Sequence, residues 1–378
     1  MPRNALNTAA RYPAPRPAGI RFSGDAGTTR RKLLVWLEQL AVLDCVQHRQ
    51  EGDGLAVSIR DALARDWMPR FDTTGLSRHL DLKTGGDEVI EREIVLAMLA
   101  APRSFAYPSF EEFAAAVRIR RNIVVAARKT QLAFDTSAAE RPEDCWTYDK
   151  ERGFTLLPGQ SLIPALEKAT QPDASGKLYS FSCYRATEYV TLLGIARELE
   201  DINPPLLERL QTQWETRAIK SGRFHEVFLC EFGSMNDPLP AGYYVPGDRL
   251  WFRNPDARSS DIEGYEGSWV FYLGGGLFSN FWNSSKPYTI TTKSVEIFHW
   301  RQGARTNING QPEMDEAMVD ACVRESLEDP IKVQSILDRM LRLRDPQGVY
   351  GTGGCIDASR EFPRRVCPGT TDIVLPCV

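Results

Sequence analysis

One stretch decides how this chain is interpreted: Leu178-Tyr179-Ser180-Phe181-Ser182-Cys183, followed by Tyr184-Arg185-Ala186-Thr187-Glu188-Tyr189-Val190. Its first part is an extended run that ends abruptly at a cysteine. From Ala186 onward, apolar residues recur at steps of three and four, which predicts a helix with one buried face. Cys183 is therefore expected in the first turn of a helix, where unpaired N–H groups and the macrodipole favour a negative charge. We expect its thiol to ionise easily, although a small structural cysteine is the plainer alternative.

The composition is that of an ordinary soluble globular protein. The 378 residues are 42% hydrophobic and 25% charged, which is enough for a large core. The net charge of −4 is spread without long runs and indicates neither nucleic-acid nor membrane binding. Residues 1–20 contain four prolines and three arginines but no hydrophobic signal region. We therefore expect a cytoplasmic protein, with export by a non-classical route left open.

The eight cysteines do not form a recognisable scaffold. They are scattered, with no Cys-x-x-Cys pair and no Cys/His cluster at zinc spacing. The spacing therefore suggests no metal or organic cofactor, and reduced thiols are expected. Cys355, Cys367 and Cys377 lie among glycines and prolines near the end of the chain, where either free thiols or a disulfide would fit.

The order of periodicities predicts an α+β protein. Residues 1–27 are predicted to be a flexible arm and 28–90 a helical extension. Ser109 and Glu112 form a capping-box signal for a helix that continues to Thr130, and Pro204-Pro205 opens another helix. The alternation then predicts strands at 224–232, 249–253, 268–273, 277–282, 288–292 and 295–300.

The rest of the chain completes this order. The three glycines at 274–276 fit a hairpin turn, and no helix signal follows them as a phosphate-binding loop requires. Helices are predicted again at 314–327 and 330–343, within a C-terminal helical segment at 304–345, and 346–378 is predicted to be an irregular tail. Helices followed by an antiparallel sheet are typical of papain-like thiol enzymes, but also of many folds without activity.

A nucleophilic cysteine needs a base within hydrogen-bond reach. Of the four histidines, His225 is predicted to begin a strand and His299 to end one, so either could approach a site at a sheet edge. Glu266 precedes the predicted strand at 268–273. Glu188 falls on a different helix face from Cys183. A solvated turn residue is the simpler interpretation of Glu266.

Several motifs resemble the small bacterial transglutaminases of the spore-coat type, which are protein-glutamine γ-glutamyltransferases. The segment at 121–130 is similar to that family's Asn-Ile-Val-x-Ala-Ala-Lys-Thr helix, with one extra residue, and 179–183 is similar to the segment that ends in its nucleophile. The segment at 247–255 is similar to a Gly-Asp-x-Leu-Tyr-Phe-Lys-Asn-Pro strand and turn. The segment at 267–274 shares a Gly-x-x-Val-x-x-Leu-Gly spacing.

The resemblance covers residues 91–303 and implies a papain-related α+β core, with a nucleophile helix packed on an antiparallel sheet and with helical extensions at both ends. In this family a cysteine works with a glutamate. Three positions differ: Ser182 and Ser268 align with the family's glutamates, and its histidine aligns near Asn280. Glu266 lies two residues before Ser268 and, on a strand, would share its face.

The resemblance implies that Cys183 forms a thioester with a protein glutamine, releases ammonia and passes the acyl group to a lysine amine. Glu266 is the expected partner, followed by His225 and His299, and no cofactor is required. The expected partners are protein substrates that supply glutamine and lysine, without nucleic acid or membrane. A glutamine deamidase or other thiol hydrolase, and a binding protein without turnover, are the alternatives.

Overall fold

The computed structural model describes residues 16–79, 86–133, 139–219, 223–345 and 353–376. The helices of these residues are α1 Ala26–Gln39, α2 Asp61–Trp67, α3 Leu76–His79, α4 Asp87–Leu99, α5 Phe110–Lys129, α6 Leu162–Thr170, α7 Pro172–Ser175, α8 Cys183–Ile202, α9 Pro204–Thr216, α10 Arg223–Phe228, α11 Ala257–Ser260, α12 Ile290–Gly303, α13 Glu316–Leu327 and α14 Pro330–Met340. None of the helices in these ranges is long and apolar enough to cross a membrane.

Two larger sheets and two hairpins accompany these helices. The strands are β1 Ile20–Phe22, β2 Val46–Glu51, β3 Gly54–Ile59, β4 Phe105–Tyr107, β5 Trp146–Asp149, β6 Gly153–Leu156, β7 Leu229–Phe232, β8 Arg249–Arg253, β9 Gly267–Gly274, β10 Leu277–Phe278, β11 Tyr288–Thr289, β12 Ala304–Thr306, β13 Pro312–Met314 and β14 Arg360–Pro363. The main sheet is antiparallel with the order β11-β10-β9-β8-β14-β7, and a smaller sheet has the order β2-β3-β1-β4. The predicted α+β class, with a helix that begins at Cys183 and packs beside an antiparallel sheet, is confirmed.

The central helix pair is α5 and α8, which the sequence predicts well. Ser109 caps α5 by accepting a hydrogen bond from the Glu112 N–H at 3.2 Å. Gly194 lets α8 approach α5 closely, because a Cβ there would lie 2.5 Å from Ile123 Cγ1. A larger side chain at Gly194 would push apart the two helices that hold Cys183 over the sheet.

The turn at Gly274, Gly275 and Gly276 joins β9 to β10, as the hairpin prediction expects. All three glycines have positive φ, a region that only glycine adopts readily. The buried Glu93 carboxylate accepts a hydrogen bond from the Gly275 N–H at 2.8 Å, and burial raises its pKa. The three glycines therefore form the turn of a β-hairpin, and Glu93 of α4 binds this turn.

Three predicted strands, at 224–232, 288–292 and 295–300, are wholly or partly helical in the structure. The segment predicted as a strand at 224–232 forms α10 before β7 begins at Leu229, and residues 290–303 form α12. Thr289 caps α12 by a reciprocal pair of hydrogen bonds with Thr292. Aromatic and β-branched residues give these segments high strand propensity, which the tertiary structure overrides.

Parts of both predicted irregular segments form strands in the structure. Within the predicted flexible arm, Ile20–Phe22 forms β1 between β3 and β4, while residues 1–15 lie outside the described part. Within the predicted irregular tail, Arg360–Pro363 forms β14 between β8 and β7. Cys355 and Cys367 are free thiols, and Cys377 lies outside the described residues.

Candidate active site

Cys183 is the first residue of α8, where the sequence places it. Ser182 is the N-cap, and its hydroxyl accepts a hydrogen bond from the Arg185 N–H at 3.3 Å. Serine is a favoured residue at this position because its short side chain reaches back to the first turn. Ser182 therefore orients the start of the helix.

The Cys183 thiol faces an uncovered edge of β9. β8 pairs with one edge of β9 along residues 267–271, whereas β10 pairs with the other edge only from Tyr272 onward. The backbone N–H of Trp269 lies on this uncovered length, and it lowers the pKa of the thiol, as does the N–H of Tyr184. Cys183 thus lies where α8 meets the sheet.

A cavity of about 290 Å³ opens onto Cys183. Its aromatic walls are Tyr265, Trp282, Tyr288 and Trp300. Its polar lining includes Ser268, Lys293, Glu296, Glu316 and Asp320. A larger cavity of about 590 Å³ around Trp214 and Phe228 does not contain Cys183, so size does not identify the reactive site.

Lys293 is the buried cation of this cavity. Its side chain is only 2% exposed, and its Nζ donates to Glu296 Oε1 at 2.9 Å. The ammonium also lies 4.1 Å from the Tyr288 ring centroid and 5.5 Å from that of Trp300. Burial lowers the pKa of Lys293, but the charges of Glu296 and Tyr288 outweigh it and raise that pKa to about 12. Lys293 is therefore charged at neutral pH.

The Cys183 thiol is harder to ionise than the sequence predicts. Burial raises its pKa, and this effect outweighs the Trp269 and Tyr184 N–H groups and the charges of Lys293 and Arg249, all of which lower it. The expectation of an easily ionised thiol is wrong because it considered the helix start without the packing around it. The resting residue is a thiol that requires help to lose its proton.

A second chain of polar contacts connects β8 to α8. Arg249 is buried, and its guanidinium carbon lies 3.8 Å from the Trp269 ring centroid. Its Nε donates to Thr187 Oγ1 at 2.7 Å, and its Nη1 pairs with Glu361. His225 Nδ1 lies 3.0 Å from the other Glu361 oxygen, and this hydrogen bond raises the pKa of His225.

The remaining predicted partners lie outside the cavity lining. His225 lies on α10 and contacts Glu361. His299 lies on α12, where its Nε2 is 2.7 Å from Ser326 Oγ, and burial lowers its pKa. The predictions that these histidines begin and end strands are wrong. The Glu266 side chain is exposed, and its backbone oxygen accepts from the Asn254 N–H at 3.1 Å.

Glu188 has no direct role in the cavity, although it lies on the same helix as Cys183. Its side chain is fully buried and pairs with Arg185. Burial raises the pKa of Glu188 to about 7, against the opposing charges of Arg185 and Arg249. One of its oxygens, Oε1, has no hydrogen-bond partner.

Sequence reasoning missed Lys293 and Glu296, because Lys293 fell between two predicted strands and Glu296 fell within the second of them. A helical interpretation would have placed the two residues one turn apart, with Trp300 on the same side. Thr289 and Thr292 at cap spacing were the available signal. No group of three or more His, Cys, Asp or Glu side chains that could hold a metal ion is found within the described ranges.

Comparisons with known proteins place the chain in context. A family model described as protein-glutamine gamma-glutamyltransferase matches residues 72–369, a range that includes Cys183, α12 and β14. Among solved structures, the chain is similar to a transglutaminase from Geobacillus stearothermophilus without its C-terminal extension. The two share 20% sequence identity with a TM-score of 0.38, over 57% of this chain and 98% of that one. No curated protein matches the chain.

Proposed function

Because the chain belongs to the protein-glutamine gamma-glutamyltransferase family, we propose that it is an acyltransferase that joins glutamine and lysine side chains of proteins. Cys183 is the nucleophile in this proposal. The observation that carries it is the position of this thiol at the start of α8, opening into the 290 Å³ cavity.

The first half of the reaction forms a thioester. The Cys183 sulfur bonds to the carboxamide carbon of a protein glutamine, the carbon–nitrogen bond breaks, and the thiol proton completes the departing ammonia. The Cys183 N–H, in the first turn of α8, is a donor for the oxyanion that forms on the carboxamide.

The second half releases the product. A neutral lysine amine of the second substrate attacks the thioester carbon, the carbon–sulfur bond breaks, and a proton from that amine returns to the sulfur. Water competes with the amine, so transfer requires a site that limits water. The aromatic side chains of Tyr265, Trp282, Tyr288 and Trp300 along the cavity support this requirement.

The test is incorporation of a fluorescent primary amine into a glutamine-rich protein. We expect incorporation by the wild-type chain and none by Cys183→Ala. Cys45→Ala is the matched control because Cys45 lies in a short helical turn of the front segment, and this variant should retain incorporation.

The same assay separates the alternatives. Release of ammonia without incorporation would indicate a glutamine deamidase or related thiol hydrolase. No reaction by a folded wild-type protein would indicate a binding protein that has lost turnover, an alternative that the serines at 182 and 268 raise.

A further inference from the structure

The two positions that align with carboxylates of the family hold serines, and the structure shows what each serine does. Ser182 Oγ is engaged in capping α8. Ser268 is buried in the lining of the cavity. A serine hydroxyl carries no charge near neutral pH, so neither residue replaces a carboxylate beside the Cys183 thiol. The charged partner of the thiol must come from another part of the fold.

The charged side chains that line the cavity come from α12 and α13. Lys293 and Glu296 lie on α12, and Glu316 and Asp320 lie on α13. Glu316 accepts a hydrogen bond from the Tyr265 hydroxyl at 2.6 Å, and Asp320 is exposed. Lys293 differs from the other three because it is a cation and almost fully buried.

We propose that the Lys293 ammonium, held in place by Glu296, is the counter-ion that stabilises the Cys183 thiolate during acyl transfer. The inference rests on the proposed function for its chemistry. It assigns to a lysine on α12 the electrostatic role that the serines at 182 and 268 do not supply.

The geometry of α12 supports this assignment. The reciprocal cap at Thr289 and Thr292 fixes the first turn, which carries Lys293. Glu296 follows one turn later and bonds the ammonium at 2.9 Å, while Tyr288 and Trp300 present ring faces to it. A buried ammonium is costly unless it is paired, and these contacts hold it in one place.

The electrostatics of the thiol agree with this geometry. After burial, which raises the Cys183 pKa, the Trp269 N–H is the largest opposing influence and Lys293 is the largest among the charged groups. Arg249 on β8 acts in the same direction but more weakly, and it is already engaged by Glu361. In turn, the Cys183 thiolate raises the pKa of Lys293.

The reaction balances without a separate base on the protein. The thiol proton is transferred to the leaving nitrogen, the sulfur–carbon bond forms, and the carbon–nitrogen bond breaks to give ammonia. Lys293 is charged before and after the step. It lowers the energy of the sulfur anion that develops as the thiol loses its proton and before the sulfur–carbon bond is complete.

The experiment measures the rate at which iodoacetamide alkylates Cys183, by peptide mass spectrometry, across a range of pH. Only the thiolate reacts, so the rate reports its population without requiring turnover. We expect Lys293→Met to slow alkylation about tenfold near neutral pH, and Lys293→Arg to restore most of the rate. Lys168→Met is the control, because Lys168 forms an exposed pair with Asp144 and is not part of the cavity lining.

A second variant keeps the test decisive if Lys293→Met does not fold. Glu296→Gln removes the group that holds Lys293 in place and opposes the lowering of its pKa by burial, so alkylation should become slower near neutral pH. A purely structural ion pair would leave the alkylation profile of the folded variants unchanged. An unchanged profile in folded Glu296→Gln would overturn the proposal, as would one in folded Lys293→Met.

The two proposals fail in different ways. If amine incorporation depends on Cys183 but alkylation ignores Lys293 and Glu296, the function stands and the counter-ion role is rejected. If the alkylation profiles shift as expected but no amine is incorporated, the counter-ion role stands and the transferase proposal is rejected.

Discussion

Glu112 Oε1 accepts a hydrogen bond from the Val366 N–H at 2.8 Å, although the two residues are separated by 254 positions in the sequence. The other oxygen of the carboxylate accepts from the Cys367 N–H and from the Thr370 hydroxyl. Glu112 was predicted to complete a capping box at the start of α5. Its carboxylate binds the C-terminal segment instead, while Ser109 alone caps the helix.

This contact predicts a large loss of stability in Glu112→Ala. The carboxylate is 1% exposed, and its removal leaves buried N–H groups without acceptors. We expect the free energy of unfolding to fall by about 2–4 kcal/mol in urea denaturation. Glu111→Ala is the control, because Glu111 forms a half-exposed pair with Lys32, and a change below about 1 kcal/mol is expected. Equal losses in the two variants would contradict the assignment.

Glu188 predicts a dependence of stability on pH. Burial raises its pKa to about 7 in the folded chain, above the usual value for a glutamate. The contribution of Glu188 to the free energy of unfolding is therefore fully present below about pH 4.3 and is lost as pH rises through 7. Glu188→Gln should remove this loss and stabilise the protein at pH 8 by about 1–3 kcal/mol relative to its effect at pH 5. Unfolding in urea at both pH values is the measurement.

The matched control is Glu208→Gln, which alters an exposed glutamate of α9. A difference of the same size between the two pH values in this control would contradict the assignment to Glu188. A Glu188→Gln variant that is less stable than the wild type at pH 8 would show that the bond to Arg185 outweighs the cost of burying the charge.

His225 predicts a smaller dependence of stability on pH. The hydrogen bond to Glu361 raises its pKa, so its stabilising effect is present below its unfolded pKa of about 6.5 and disappears as pH rises through the folded value. His225→Gln should therefore cost more stability at pH 5.5 than at pH 8. The side chain is 37% exposed, so after solvent screening we expect a difference below about 1 kcal/mol. His48→Gln, at an exposed position of β2, is the control, and a difference of the same size there would contradict the assignment to His225.

Glu266 offers a direct test of the role predicted from sequence. Its exposed side chain lies outside the cavity lining, so Glu266→Gln should change the rate of amine incorporation by less than about twofold. A loss of 100-fold or more, with normal folding, would instead establish Glu266 as the partner of Cys183.

The sequence predicts best those features that depend on local patterns. The apolar spacing after Cys183 placed α8 correctly, and Ser109 marked the start of α5. The alternation at 249–253 and 268–273 identified β8 and β9. In these segments the propensity of the residues agrees with the tertiary structure, so a short window contains the necessary information.

The features that the sequence did not predict depend on contacts between distant segments. α12 is buried on several sides, including at Lys293, Ser294 and His299, so it lacks the polar face that would have identified it as a helix. β14 has four residues and ends in Pro363, and its pairing partners lie more than 100 positions earlier. The thiol pKa likewise depends on burial that no local pattern reports.

The insertion of β14 between β7 and β8 has a consequence for biosynthesis. β8 and β7 are made early, yet the strand that separates them is translated more than 100 residues later. The main sheet therefore cannot close on the ribosome until residue 363 has emerged from the exit tunnel. Because Arg249 of β8 packs against Trp269, the surroundings of Cys183 are completed only after β14 has been made.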